Sequence, residues 1–280
     1  MDYPVRGIKN GWLPDFHIHT CWSLDIPHGP KPEDYFEVAE ENKIHIGFLD
    51  HYEMIYEGNP TGPPGKEWMP EWPFEGNKWN RYLEKMDELK SNYDFVSSGL
   101  EVDYYPYGED RLKNFVDDYG DEFDLLVGTV HEVEPFAPIT LADDLKRMIR
   151  KHGNLEQVAD IYFEIEKKMV KSKIFDAVAH IDTIYRFCNS FVPMKTEYDQ
   201  NSQVKEIANL CKETDTWLEW NLSGFRYPIG RPFPPFKIIK EHLGNGGKVF
   251  IGSDTHAVKT LKEFVPRIQK GYKMMHEVLL

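Results

Sequence analysis

The chain has 280 residues, 41% of them hydrophobic, which is enough for one large domain around a real core. Its formal net charge of −14 argues against general nucleic-acid binding, because phosphate backbones recruit Lys and Arg, although bound dications can still bring a phosphorylated substrate to an acidic protein. No apolar run is long enough to span a bilayer and no secretory pattern opens the chain. Cys21, Cys188 and Cys211 have no zinc-knuckle or CxxC spacing, so the expectation is a cytoplasmic protein without membrane attachment or disulfide scaffolding.

Short apolar runs alternate with longer amphipathic stretches. Strands are expected over 13–18, 44–50, 95–102, 125–130, 175–180, 217–221 and 248–253. Helices are expected over 32–42, 78–91, 109–119, 155–171, 202–212, 235–243 and 258–270, several opening on a cap or an early proline, as in Lys31-Pro32 and Asn201-Ser202. Strand alternating with helix implies parallel strands, because crossover helices join parallel neighbours. Seven such units, with no repeat and no linker, suggest a closed or nearly closed barrel in a single domain over 1–280. An open doubly wound sheet is the alternative, but no GxGxxG follows the first strand to favour it.

The stretch 52–77 stands apart. Pro60, Pro63, Pro64, Trp68, Pro70, Trp72 and Pro73 leave no room for a regular element, and the segment is long for an ordinary connection. Its position just after His51 favours an active-site lid, with simple packing of its aromatics on the barrel exterior nearly as good an account.

Metal-type residues fall at the strand ends. Asp15-Phe16-His17-Ile18-His19 closes the first strand and Asp50-His51 the second; Glu101 and Asp103 follow in the third. His131 ends the fourth and His180 the fifth, and Ser253-Asp254-Thr255-His256 ends the seventh. In a parallel barrel those ends converge on one face, where barrel active sites sit. Strand positions i and i+2 point the same way, so His17 and His19 can grip one ion, as can Asp254 and His256. Imidazole and carboxylate without thiolate suit Zn, Mn or Fe. A carboxylate such as Glu101 can bridge two ions, and paired ions can deliver hydroxide to phosphorus or carbon. A single histidine at a strand end is more often a packing or capping residue; the repetition from strand to strand carries the weight. His28, His45, His152, His242 and His276 fall in helices, loops or a strand start and read as surface or packing histidines.

The stretches DFHIHTCWSLD, GFLDHYE, GLEVDYYPYGEDRLKNFV, FDLLVGTVHEV, FDAVAHIDTIYRF, LEWNLSGFRYPIGRPFPP and VFIGSDTH run in order over most of the chain. With them the sequence resembles the PHP (polymerase and histidinol phosphatase) superfamily, and within it the histidinol-phosphate phosphatase branch. The resemblance implies a distorted (β/α)7 TIM-like barrel with three divalent metal ions (Zn, Mn or Fe). Carried over, His17, His19, Glu101 and Asp254 would hold the first ion, Glu101, His131 and His180 the second, and Asp25, His51 and His256 the third. Asp25 is supplied by the resemblance alone; its loop position otherwise reads as a cap. Asp15, Asp50 and Asp182 then look like residues that orient imidazoles by accepting their other N–H.

The resemblance also places arginines at the phosphate. Arg226 matches best and Arg186 is the second candidate, a guanidinium fork being well suited to phosphate oxygens, and Ser223 adds a hydroxyl. The implied reaction is hydrolysis of a small phosphorylated metabolite, histidinol phosphate in histidine biosynthesis. Asp182 or a metal-bound water is the candidate to protonate the leaving alkoxide, and Glu132 and Glu53 are candidates to receive a cationic amino group. The chain departs from the branch after His131, where an aromatic and Gly-Trp are usual and Glu132-Val133-Glu134-Pro135 stands here. It departs again at Arg231, where an acidic residue is common; the arginine reads as an added phosphate contact or as an exposed surface residue. A phosphoesterase for another small ester, such as a nucleotide or sugar phosphate, is the runner-up. A non-catalytic metal-binding module is disfavoured by the complete ligand set, and a homo-oligomer is left open.

Overall fold

The computed structural model describes residues 2–23, 25–52, 77–134 and 137–280. Except for its end residues Tyr52 and Asn77, the stretch expected to be a lid lies outside the described residues.

Seven strands pair in parallel: β1 (Leu13–Ile18), β2 (Ile44–Tyr52), β3 (Val96–Asp103), β4 (Leu125–Thr129), β7 (Ala177–Val178), β8 (Trp217–Asn221) and β9 (Val249–Gly252). They lie in the order β1-β2-β3-β4-β7-β8-β9, each beside its successor in the sheet. Between β4 and β7 a small antiparallel hairpin, β5 (Glu132–Glu134) and β6 (Ala137–Pro138), stands outside this sheet. The sheet comes round on itself at the C-terminal rim. His19 N–H donates to Thr255 O at 2.8 Å and Thr255 N–H to His17 O at 3.2 Å. Asp15 Oδ1 accepts from Ser253 N–H at 2.8 Å, so a side chain supplies the acceptor where the backbones of β9 and β1 diverge. The result is the nearly closed barrel of parallel strands expected from the strand–helix alternation, and the open doubly wound alternative is set aside.

Helices cover the outside: α1 (Phe36–Asn42), α2 (Asn77–Asn92), α3 (Glu109–Tyr119), α4 (Ala142–His152), α5 (Leu155–Ser172), α6 (Ser202–Thr214), α7 (Phe236–Gly244) and α8 (Val258–Leu279). Each buries one stripe, as α2 does with Trp79, Tyr82, Met86 and Leu89 at helical spacing. α8 packs across β1 and β9 and so covers the seam. No helix among the described residues is long and apolar enough to cross a membrane.

Burial on both faces makes the strands almost continuously apolar. Outward residues such as Leu100 and Val102 join the main core under the helices. Phe16, Leu49, Leu125, Val127, Ala177, Ala179 and Phe250, drawn from five strands and their ends, form a second cluster inside the barrel. Gly47 makes room there, since a Cβ at that position would lie 2.8 Å from Phe16 Cα. This plug is the floor on which the site rests.

Three expectations needed adjustment. β7 is short because His180, expected at its end, takes a left-handed backbone (φ 26°) and leaves the strand. α8 continues to Leu279 instead of ending near residue 270. α4 was not anticipated, although it carries a full helix signature: Asp143 and Asp144 in the first turn, Arg150, Lys151 and His152 in the last, Leu145 and Met148 buried, and Gly153 beyond the end.

Candidate metal centre

The strand ends bring the expected ligands together. β1 delivers His17 and then His19, β2 delivers His51 and β3 delivers Glu101; His131, His180, Asp254 and His256 follow the ends of β4, β7 and β9. Glu101 lies at the centre. Its Oε2 is 3.0 Å from His51 Nδ1, 3.3 Å from His17 Nε2 and 3.6 Å from His19 Nε2. Its Oε1 is 2.9 Å from His180 Nε2 and 3.5 Å from His131 Nε2. Asp254 Oδ1 sits 3.4 Å from His19 Nε2. Asp25, in the loop after β1, places Oδ2 at 2.9 Å from His256 Nε2 and Oδ1 at 3.8 Å from His51 Nε2. The His19 ring lies between those of His51 and His256, with centroids 4.3 and 4.2 Å away. His180 and Asp254 both adopt positive φ (26° and 53°), strain of the kind stored where side chains must be aimed.

The donor set fits divalent cations. Among the described residues four overlapping groups have ligand atoms within 4.8 Å of one another: His19, His51 and His256; His17, His19 and Glu101; His17, His180 and Asp254; His51, Glu101 and His131. Because the groups share members, they form one continuous cluster. Among the described residues the buried His19 Nε2 and His51 Nδ1 face carboxylate oxygens but complete no hydrogen bond, an arrangement that costs free energy unless an electrophile takes the lone pair. Charge is equally concentrated. Burial disfavours the Glu101 carboxylate, but His51, His17 and His131 together hold it well below the usual carboxylate range. Burial pulls His51 down, yet Glu101 and Asp25 lift it to about 10. His19 is pushed down to about 3 by burial and by His256 and His51 beside it. A buried carboxylate ringed by crowded imidazoles, one of them kept neutral, is a preformed site for cations, and nitrogen and oxygen donors without thiolate suit zinc, manganese or iron.

The outer ring nitrogens are also held. His17 Nδ1 meets Glu219 Oε1 at 2.6 Å, His19 Nδ1 meets Ser23 Oγ at 3.1 Å, His131 Nδ1 meets Asp103 Oδ1 at 2.9 Å, and His256 Nδ1 meets Asp254 O at 3.1 Å. The three aspartates expected in this role do other work. Asp15 takes the backbone N–H groups of Ser253 (2.8 Å) and His17 (3.3 Å), closing the seam. Asp50 accepts from Thr20 N–H (2.7 Å), the Thr20 hydroxyl and Ser23 Oγ (2.8 Å), so it reaches the His19 ring through Ser23. Asp182 is fully buried and its Oδ2 pairs with Arg231 Nη1 at 2.9 Å, while Arg231 Nε reaches Asp199 at 2.6 Å. Arg231, placed by sequence at a phosphate or on the surface, is instead an internal counter-ion. Asp182 in this setting anchors the loop that carries Arg231, and burial lifts its carboxyl to about 6 against the pull of that arginine.

The model of the PHP domain family matches residues 15–223, three quarters of the chain and most of the ligand set. The chain belongs to the PHP domain family. A histidinol-phosphatase of Bacillus subtilis (strain 168) is 25% identical over 265 residues, covering 86% of this chain and 92% of the relative. The structure of the candidate histidinol phosphatase hisK from Listeria monocytogenes matches with a TM-score of 0.77 at 25% identity, over 88% of this chain and 96% of that one. The histidinol phosphate phosphatase of Lactococcus lactis, solved with zinc, L-histidinol and phosphate, matches with a TM-score of 0.69 over 95% and 93% of the two chains; at 18% identity that likeness is one of fold.

In this PHP domain the expected phosphate residues sit around the same rim in three different settings. Arg226 ends a 3-10 turn after β8 (Leu222–Arg226), is exposed, and has no ion-pair partner among the described residues. Arg186 is buried; its Nε and Nη2 donate to the Thr183 hydroxyl at 2.9 and 2.6 Å, and its guanidinium lies 4.6 Å from the Tyr227 ring centroid. No carboxylate pairs with Arg186 among the described residues, although a guanidinium keeps its charge when buried. Ser223 is buried and its hydroxyl donates to Asp254 Oδ2 at 3.0 Å, so it holds that carboxylate in place. Glu132 is buried in β5, and Glu53 lies outside the described residues. Sequence reasoning missed Glu219, and it read Asp103 as a ligand type without a role. The signal for Glu219 was a lone charge in the middle of an apolar strand, Trp217-Leu218-Glu219-Trp220-Asn221. A buried carboxylate there must have a donor to meet.

Proposed function

We propose that this PHP domain is a metal-dependent phosphate monoester hydrolase that converts L-histidinol phosphate and water to L-histidinol and phosphate, in the histidine biosynthesis of the cytoplasm. One observation carries the chemistry: a fully buried glutamate, Glu101, with nitrogens of five histidines within 3.6 Å at the C-terminal rim of a parallel barrel. The substrate is supported by the histidinol-phosphatase from Bacillus, which aligns along 86% of the chain.

In this reading His17, His19, Glu101 and Asp254 hold one divalent ion, Glu101, His131 and His180 a second, and Asp25, His51 and His256 a third. Zinc is the ion in the Lactococcus structure, and the same donors accept manganese or iron. Bound there, such ions supply a nucleophilic water at neutral pH and neutralise charge on the phosphoryl oxygens. The chain's own groups do the rest. Glu101 sets the spacing between two ion positions by presenting one oxygen to each side. Arg226, exposed at the rim and without an ion-pair partner among the described residues, can fork onto phosphoryl oxygens, and Arg186 keeps a second positive charge on that rim. Asp182 and Arg231 hold the β7 and β8 loops in register, and Ser223 fixes Asp254.

The test is phosphate release by metal-loaded protein from L-histidinol phosphate, measured beside nucleotide and sugar phosphates, with rescue of a histidine auxotroph as the cellular counterpart. The expected result is a clear kcat/KM preference for histidinol phosphate. Preference for another ester would move the substrate within the same chemistry. No turnover of any ester at full metal occupancy would overturn the enzyme reading.

A further inference from the structure

Glu219 lies at the middle of β8, fully buried, and faces the barrel interior. Three N–H groups converge on it. His17 Nδ1 is 2.6 Å from Oε1; the His180 backbone N–H donates to Oε2 at 2.9 Å; and the Asn221 side-chain amide donates to the same oxygen at 3.0 Å. Room for the carboxylate is made by the neighbouring strand, where Gly252 pairs with Asn221. A Cβ at position 252 would overlap Glu219 Oε1 and stand 2.6 Å from His17 Cβ.

We propose that Glu219 is the positioning residue of the metal centre: it selects the His17 tautomer whose Nε2 lone pair faces the ions, and it ties His17 to His180 and Asp254. The inference rests on the metal-centre reading above. A neutral imidazole carries one N–H. With a carboxylate oxygen against Nδ1, that hydrogen stays on Nδ1, and Nε2, 3.3 Å from Glu101 Oε2, is left as an electron pair. The second oxygen fixes the residue after β7 through its backbone. The reach extends further through Asn221, whose amide also approaches Asp254 Oδ2 at 3.5 Å and whose carbonyl takes Ser223 N–H at 2.8 Å. His17, His180 and Asp254, which form one of the four ligand groups, are therefore all anchored to Glu219, directly or through one side chain.

The acceptor role also explains why the residue is an acid. All three partners are donors, so the carboxylate serves as acceptor on both oxygens and a hydrogen on it would find no acceptor among them. A glutamine cannot serve. Turned one way, its NH2 meets the N–H of His180 and the amide of Asn221. Turned the other way, it donates to His17 Nδ1, drives the hydrogen to Nε2 and blocks the ligand atom.

The experiment compares parent protein and Glu219→Gln by metal content after desalting, by chelator competition for zinc, and by melting of the metal-free forms. Loss of a partner that orients a ligand weakens metal binding by about 10- to 100-fold. The expected pattern is that loss in Glu219→Gln, a metal-free melting temperature near the parent's, and turnover partly restored by excess zinc with an unchanged KM. A merely structural role would lower the metal-free melting temperature without metal rescue, and that outcome overturns the proposal. So does a folded variant with the parent's zinc affinity and metal count. Should the variant fail to fold, nitrogen NMR of the zinc-loaded parent with 15N-labelled histidine decides: hydrogen on His17 Nδ1 supports the proposal, hydrogen on Nε2 overturns it. A parent protein that binds no divalent ion would instead bring down the metal-centre reading beneath it.

Discussion

Replacement of Glu101 by glutamine probes the centre most directly. The parent carboxylate offers two acceptor oxygens to five ring nitrogens between 2.9 and 3.6 Å away. The amide keeps the volume but loses the charge, and one of its two ends becomes a donor that cannot ligate. Removing one partner from a buried charge cluster costs about 3–5 kcal/mol, which is on the order of 10²- to 10⁴-fold in affinity at 1.4 kcal/mol per factor of ten. Both ions expected to share Glu101 should be lost on desalting, while the ion assigned to Asp25, His51 and His256 stays. Elemental analysis of the desalted protein gives the count, and phosphate release from histidinol phosphate gives turnover, which should fall to background. A Glu101→Gln protein with the parent's metal count and undiminished turnover would refute the shared-ligand role and, with it, the two-sided geometry on which the mechanism is built.

Arg226→Ala should lower kcat/KM by roughly 10- to 100-fold, the worth of one charge-assisted contact, with metal content unchanged; an intact kcat/KM would remove Arg226 from the phosphate site. Arg231→Ala strands the buried Asp182 carboxylate and should destabilise the fold by about 3–5 kcal/mol in urea titration. Adding Asp182→Asn should return much of that loss, and independent, additive effects would show that the pair does not act as one. Glu166 on α5 is fully buried, with the Tyr162 hydroxyl its one hydrogen-bond partner among the described residues at 2.5 Å, and burial pushes its carboxyl well above the usual range. The folded state therefore holds a proton that the unfolded chain releases above its ordinary carboxyl pKa, so this group's contribution makes stability fall as pH rises through that value. Glu166→Gln should thus raise the melting temperature relative to the parent by a margin that widens from pH 5 to pH 8; a constant margin would mean the group is not protonated in the fold.

The resemblance motifs cover the family match and continue past it to VFIGSDTH, and the strand ends read from sequence put the candidate ligands where the structure gathers them. The reason is geometric: a parallel barrel puts every strand's C-terminal end on one rim, so a residue type recurring at those ends is a spatial statement as well as a linear one. His17 and His19 share a side of β1 because strand side chains alternate, and that rule needs no tertiary information. Helix α4 shows a signature that was present and unread, since its capping charges and buried Leu145 and Met148 are all local.

What the sequence by itself determined is the donor chemistry, the alternation that builds the barrel and the face on which the donors meet, because those follow from residue type and local period. Only the tertiary structure decided the partners of the donors. Asp15, Asp50 and Asp182 sit beside or near ligands in sequence, yet they bind backbone, hydroxyls and Arg231, while His17 is served by Glu219, 202 residues away. Which buried acid meets which N–H depends on strand order, on the space left by Gly252 and on the seam between β9 and β1. Those are properties of the closed sheet, and no local pattern contains them.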